Sequence, residues 1–418
     1  MSYQLLRGLR VVESSAFVAA PLAGLTLAQH GADVIRVDMI GGGIDYGRLP
    51  RVPGTGRSLY WTGLNKGKRS IAVDLKHPEG RELVQALATA PDAPGTTGGV
   101  LLTNIGTPWL AHEALAARRA DVISCTIQGH ADGGTAVDYT VQCATGYPAL
   151  TGPGSAAQPV NQVLPAWDIA CAYHAAFSIM AALDRRRSSG AGAELKLALS
   201  DLAYAMLSHL GVLAEAELLQ QDRAALGNHV YGAFGRDFAT ADGRRVMVVG
   251  ISAGQWRSLV AACDAAEAIA RLEARTGLDL TDEAQRFEAR EAIAALLEPW
   301  FAERPYAEVA RVLDAHRVCW GTYRTPREAL ADDPRCGIAN PLFERISTLG
   351  VGEHLAAGAA LRVTAEAREP IRPAPLLGAD TDAVLHEVLG LPAGAIGRLH
   401  DTGIVAGPEH DPTFKPRR

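Results

Sequence analysis

The sequence has few of the features that usually announce chemistry. Its six cysteines, at positions 125, 143, 171, 263, 319 and 336, contain no C-x-x-C pair. Scattered through apolar runs, they are expected to be reduced, buried thiols of a cytoplasmic protein rather than a disulfide framework or zinc ligands. No H-x-x-x-H or H-E-x-x-H spacing occurs, so no metal site is expected. A P-loop is missing too. Charge of one sign is lacking: 40 Lys+Arg stand against 46 Asp+Glu, a formal net charge of −6. A nucleic-acid partner needs a basic surface for phosphates, so that class is set aside. No apolar run reaches the roughly 18 residues of a membrane span. The opening Met1-Ser2-Tyr3-Gln4-Leu5-Leu6-Arg7 has no signal-peptide core.

What is present is a 418-residue chain, 48% hydrophobic, with length for two or three domains and a large core. Leu9-Arg10-Val11-Val12 reads as a buried strand, Ser14 to Pro21 as a loop, Leu22 to His30 as a helix stopped by Gly31, and Val34-Ile35-Arg36-Val37 as a second strand. Such a βαβ unit implies a parallel sheet with helices on its faces. Strands at 70–73, 100–103, 122–125 and 194–199, and helices at 78–90, 169–183 and 202–219, extend the pattern. After about residue 225 the texture changes. Phe234 to Val249 reads as a hairpin turning at Asp242-Gly243, followed by helices near 254–263, 284–302 and 306–316. Pro341 onward reads as loop until a helix at Thr381 to Leu389.

Three constellations can carry chemistry. The loop Ser14-Ser15-Ala16-Phe17-Val18-Ala19-Ala20-Pro21 joins the first strand to the first helix, on the edge where parallel sheets bind ligands. Asp38 ends the second strand, where a dinucleotide fold places its ribose-binding acid. The loop lacks G-x-G-x-x-G, however, which argues against a pyrophosphate there. Asn65-Lys66-Gly67-Lys68-Arg69 sets three cations in four residues, either a phosphate site or a solvated turn. Asp168, in Pro165-Ala166-Trp167-Asp168, precedes an apolar helix. It can be a cap for that helix. It can also be a nucleophile toward an activated acyl group, stabilised by the helix N-terminus and partly desolvated by its apolar neighbours.

Together these stretches resemble the family III CoA-transferases. The resemblance rests on Leu9-Arg10-Val11-Val12-Glu13 with Val18-Ala19-Ala20-Pro21, on the run from Gly31 to Asp38, on the run from Asn65 to Lys76, and on Pro375-Leu376-Leu377-Gly378-Ala379-Asp380-Thr381-Asp382. It covers essentially the whole chain. The family resemblance implies an α/β fold: a Rossmann-like large domain with a parallel sheet plus a smaller α+β domain, in an interlocked homodimer. The expected division is 1–224 for the large CoA-binding domain, 225–330 for the small domain and 331–418 for a return segment. The resemblance places the catalytic aspartate on Asp168. It places CoA contacts on Val18 and Ala19, on Val73, Asp74, Leu75 and Lys76, and on Asn104, Ile105 and Gly106. Met39 stands where one of two CoA-contacting arginines is found in the family.

The implied substrate is an acyl-CoA, with no prosthetic group, no metal, no membrane and no nucleic acid. Four stretches, 15–21, 163–169, 231–238 and 403–408, are narrower than the family at large. They resemble members that move CoA between the two carboxyls of one mesaconyl (2-methylfumaryl) unit. The implied route is attack by Asp168 on the thioester, through an aspartyl anhydride and an aspartyl-CoA thioester. Alternatives are transfer to a separate dicarboxylic acid, an α-methylacyl-CoA racemase, for which Val137-Asp138 lacks the histidine, and a non-catalytic CoA-binding protein. Arg48, Arg236 and Arg324 are candidates for holding a free carboxylate.

Overall fold

The computed structural model describes residues 3–152 and 157–414. The chain divides into two compact units. The first comprises Met1–Thr145, Val163–Leu219 and Pro334–Arg418, and the second Gly146–Gln162 and Gln220–Asp333.

The first unit is built on a mostly parallel sheet. Its strands are β1 (Arg10–Ser14), β2 (Asp33–Met39), β3 (Arg69–Val73), β4 (Val100–Thr103), β5 (Ile123–Gln128) and β6 (Ala193–Ala198). They lie in the order β3-β2-β1-β4-β5-β6, all parallel. The short strand Val405–Ala406 adds antiparallel to the outer edge of β3. All five residues of β1 and all four of β4 are buried, as strands covered on both faces require. Val12, Ile35, Ile71, Leu101, Val84, Leu87 and Val384 form one core cluster beneath them. Strand order reverses between β1 and β4, which makes their C-terminal ends the topological switch point where open α/β sheets take ligands.

Several elements depart from expectation, each for a local reason. The first helix begins at Ala19, not Leu22. Pro21 falls in its first turn, where a missing N–H costs nothing, so this proline is helical rather than a loop marker. The long helix runs Ala166–Ser189, starting before Ile169 and ending at left-handed Gly190. It is long and apolar enough to cross a membrane by length and composition. Here its Cys171, Ala172, Ala175 and Ile179 are fully buried. The expected 202–219 helix is two, Leu199–His209 and Val212–Leu219, bent by 64° at Gly211 (φ 75°). The stretch after Pro341 holds an antiparallel hairpin, Phe343–Thr348 with Gly352–Ala357.

The second unit carries an antiparallel three-stranded sheet, Phe234–Ala239, Arg245–Gly250 and Cys319–Thr322. The Asp242-Gly243 turn is formed, with Gly243 at φ 76°. Helices at Glu283–Glu288 and Arg290–Ala302 replace the single expected 284–302 helix. Phe234, Trp256, Leu259, Ile293 and Leu297 fill its core, and Phe238 stacks on Phe301 at 4.4 Å. All six cysteines are free. Cys125, Cys171 and Cys263 are buried as expected, but Cys143 and Cys319 are exposed. Burial pushes the thiols of Cys125, Cys171 and Cys263 up to about 12, so none of these three is a ready nucleophile.

Candidate active site

The loops leaving β1 and β4 are tied to each other. Asn104 accepts the Ala16 N–H on Oδ1 at 2.8 Å and donates from Nδ2 to the Ala16 carbonyl at 2.7 Å. Phe17 sits in the left-handed region at φ 65°, uncommon for a residue with a side chain. Its N–H donates to Asp45 Oδ2 at 2.9 Å, and buried Asp45 lies 3.5 Å from the Arg36 guanidinium. A pinned loop therefore forms one wall of a cavity of about 560 Å³. That is the size range of small-molecule sites, roughly 300–1,000 Å³. Phe17, Val18, Ala19 and Asn104 line this wall; Arg48, Tyr60, Asp138, Tyr139, Val163 and Asp168 are among the other lining residues.

Asp168 is the third residue of the long helix, and it is not a cap. The cap comes from elsewhere: buried Asp138, at the start of the helix Asp138–Ala144, accepts the N–H groups of Trp167 (2.7 Å) and Asp168 (3.0 Å) on one oxygen. The Trp167 indole donates to Gln142 Oε1 at 2.6 Å from that same helix. With the helix N–H groups served by Asp138, no hydrogen bond or ion pair engages the Asp168 carboxylate among the described residues. It is left facing the cavity.

Its protonation follows from that setting. Burial raises the Asp168 carboxyl to about 7; the Asp138 charge adds to the rise and the Arg48 charge opposes it. Burial also raises Asp138, against the two N–H donors that favour its charged form. A carboxylate poised near neutrality and short of partners is basic and available, which suits attack on an activated carbonyl. In the free enzyme, kcat/KM is expected to rise with pH through about 7, as Asp168 ionises. Asp138→Asn keeps an acceptor for the two N–H groups but removes the charge. Its acid limb is expected at lower pH; an unmoved or raised limb in a pH–rate series would show that Asp138 does not act on Asp168.

Stability runs in the opposite direction. The unfolded carboxyl titrates near 3.8 and the folded one near 7, so between these values the folded protein holds the proton and stability falls as pH rises. Asp168→Asn avoids this penalty. Allowing for partial solvation, it is expected to gain on the order of 1 kcal/mol at pH 8, read as a raised Tm that disappears near pH 4.

Of the residues expected from sequence, Val18, Ala19, Asn104 and Asp168 meet at this cavity. The other six are not among its lining residues. Val73 is fully buried at the end of β3. Asp74, Leu75 and Lys76 form the turn that follows, where the Lys76 N–H donates to Asp74 Oδ1. Ile105 and Gly106 are exposed just beyond β4.

The basic run at 66–69 is neither a phosphate cradle nor a solvated turn. Lys68 is buried and donates to Glu13 Oε1 (3.0 Å), Asn65 Oδ1 (2.9 Å) and the Pro21 carbonyl (2.8 Å). Arg69 pairs with Asp33 and Glu387. Asp38 accepts from both Nε and Nη2 of the Arg36 guanidinium, which leaves no free acid for a ribose. Of the three arginine candidates only Arg48 lines the cavity. Arg324 donates to Asp333 at 3.0 Å and Arg236 lies 4.0 Å from Glu291, both within the second unit. A G-x-S-x-G spacing occurs at Gly250–Gly254. It follows a strand and opens a helix, but Ser252 is that helix's N-cap, accepting the Gln255 N–H at 3.2 Å with ordinary extended backbone. It is a capping box rather than a strained nucleophile elbow. Among the described residues no group of three or more His, Cys, Asp or Glu is placed to hold a metal.

Residues 6–381 match the sequence profile of CoA-transferase family III. The chain belongs to this family. A family relative, the 2-methylfumaryl-CoA isomerase of Chloroflexus aurantiacus, is 52% identical over 406 residues, covering 97% of this chain and 98% of that protein. The human succinyl-CoA:glutarate CoA-transferase is 27% identical, covering 96% and 90%. Among solved structures, a CAIB/BAIF family protein from Brucella suis shares the fold, with a TM-score of 0.74 at 24% identity over 93% of this chain and 100% of that one. The family fold expected from sequence, α/β with a mostly parallel central sheet, is the one observed.

Proposed function

We propose that this protein is an intramolecular CoA-transferase that converts 2-methylfumaryl-CoA, the thioester at carbon one, to 3-methylfumaryl-CoA, the thioester at carbon four. The observation that carries this reading is the 52% identity, over nearly the full length of both chains, to 2-methylfumaryl-CoA isomerase. The placement of Asp168 supports the route. Its carboxylate oxygen attacks the carbon-one carbonyl; a C–O bond forms, the C–S bond breaks, and CoA leaves as thiolate with a mixed anhydride behind. The thiolate attacks the aspartyl carbonyl of the anhydride, giving an aspartyl-CoA thioester and freeing the carbon-one carboxylate. The carbon-four carboxylate then attacks the aspartyl thioester and again expels the thiolate. Attack of the thiolate on the carbon-four carbonyl returns Asp168 as carboxylate. No electrons are gained or lost.

CoA arrives as part of the substrate. It runs along the C-terminal sheet edge past Val18 and Ala19, Val73 to Lys76, and Asn104 to Gly106. The working form is an interlocked homodimer in the cytoplasm. Retaining the acid within the cavity gives the second carboxylate a high effective concentration and keeps water from the anhydride.

The test is incubation with 2-methylfumaryl-CoA and no added acid, followed by separation of the two regioisomeric thioesters. Formation of the carbon-four thioester is expected; its absence overturns the reading. Similarity to the human succinyl-CoA:glutarate CoA-transferase favours a second reading, transfer to an external acid. Isotope from labelled free 2-methylfumarate or succinate entering the thioester pool at the rate of isomerisation would establish it. A racemase is disfavoured, because no histidine is among the residues lining the cavity.

A further inference from the structure

Arg48 is the one lysine or arginine among the residues lining the cavity, which it shares with two carboxyls, Asp138 and Asp168. Neither forms an ion pair with it among the described residues. Asp138 is already occupied by the two N–H groups of the long helix. Instead the guanidinium stands against two aromatic rings, 5.5 Å from the centroid of Phe17 and 5.2 Å from that of Tyr60. Aromatic faces hold an arginine by cation–π attraction without using its N–H donors. The backbone that carries one of these rings is itself held: Phe17 is kept in its left-handed conformation by Asp45, which Arg36 holds in turn. Arg48 is thus a braced planar fork with unused donors, and a carboxylate is the group that such a fork accepts through two parallel hydrogen bonds.

We infer that Arg48 holds whichever carboxylate of the acyl unit is not in thioester linkage, and so retains the diacid between the two halves of the transfer. The inference rests on the proposed intramolecular reaction and adds the residue that makes it intramolecular. Before the first attack, Arg48 binds the carbon-four carboxylate. Once the aspartyl-CoA thioester has formed, the diacid is covalently free and carries two negative charges beside Asp138. Without a cation nothing in the lining opposes its escape. When the carbon-four carboxylate turns to attack, the carbon-one carboxylate takes its place on Arg48. The substrate class follows: monothioesters of short dicarboxylic acids, with neutral acyl-CoA esters discriminated against.

The experiment compares wild type, Arg48→Gln and Arg48→Lys with 2-methylfumaryl-CoA, measuring both regioisomeric thioesters, free 2-methylfumarate and incorporation of labelled external 2-methylfumarate. For Arg48→Gln, the ratio of released acid plus incorporated label to isomerised product is expected to rise at least about tenfold, and KM to rise by a similar factor, with partial rescue in Arg48→Lys. A loss confined to kcat, with the release ratio unchanged, overturns the inference, because a merely structural role does not alter how the bound acid partitions. If wild type makes no carbon-four thioester, the proposed function fails by itself. The Arg48 assignment is then decided by calorimetry with CoA present, comparing 2-methylfumarate with its monomethyl ester. Tenfold weaker diacid binding to Arg48→Gln than to wild type supports it, and equal binding overturns it.

Discussion

Asp168→Ala is expected to lower isomerisation of 2-methylfumaryl-CoA by on the order of 10⁴-fold or more, with KM little changed. Two features make the loss large. The Asp168 carboxyl takes part in every step of the proposed route, as nucleophile, acyl carrier or leaving group, so its removal eliminates both anhydrides and the enzyme thioester together. Nothing else near it can substitute: Asp138 spends one oxygen on the Trp167 and Asp168 N–H groups, and burial holds the nearby Cys171 thiol at about 12. The helix start should survive, because its cap is Asp138 and not the residue replaced. Circular dichroism and Tm at or above wild type would exclude unfolding as the cause. In wild type, hydroxylamine added during turnover should trap Asp168 as a hydroxamate, found by peptide mass. An alanine variant that isomerises at near wild-type rate would remove Asp168 from the mechanism.

How far the site was legible in the sequence depended on distance along the chain. Val11, Val12, Ile35, Val37, Ile71 and Leu101 announced a buried parallel sheet because strands covered on both faces leave uninterrupted apolar runs. The aspartate at the head of an apolar helix was visible, yet its local context favoured a cap. What frees it is Asp138, 30 positions earlier on a different helix, and no local pattern records a cap supplied in this way. The Lys66–Arg69 run misled for the same reason. Its partners, Glu13 and Asp33, lie on other strands or at their ends, so four neighbouring residues looked like an unmatched charge cluster. Elements were misplaced where one residue type has two meanings. Pro21 marks a loop or a first helical turn, and Gly211 a helix interior or a sharp bend. Arg48 was one of three equal arginine candidates until the fold brought its guanidinium against Phe17, 31 residues away.

Glu13→Ala is expected to destabilise the protein by about 3–5 kcal/mol, the range for removing one partner from a buried ion network. Glu13, at the end of β1, is fully buried with Lys68 at 2.9 Å and Arg36 at 3.1 Å, and it accepts Ser15 Oγ at 2.8 Å. Arg36 would keep Asp38 and Asp45. Lys68 would keep only carbonyl-type oxygens, from Asn65 and Pro21. Burial already lowers Lys68 to about 8 with Glu13 in place. Without that carboxylate the ammonium has no counter-charge in contact, and folding must either bury it unpaired or remove its proton. Most of the cost therefore belongs to Lys68. Glu13→Ala with Lys68→Met should be clearly less destabilised than the sum of the single variants. A double-mutant cycle that is additive within about 0.5 kcal/mol would refute this coupling. The packing predicts a second route to the same loss. A Cβ at Gly24, in the first helix, would overlap Glu13 Oε2, so Gly24→Ala must push that carboxylate out of its place in the network. Because Arg36 also donates to the Ser15 hydroxyl and carbonyl, the network anchors the loop that carries Phe17 to the cavity. Folded Glu13→Ala protein should accordingly show a raised KM, and a Tm loss of about 5 °C with unchanged kinetics would mean that the loop holds its shape without the network.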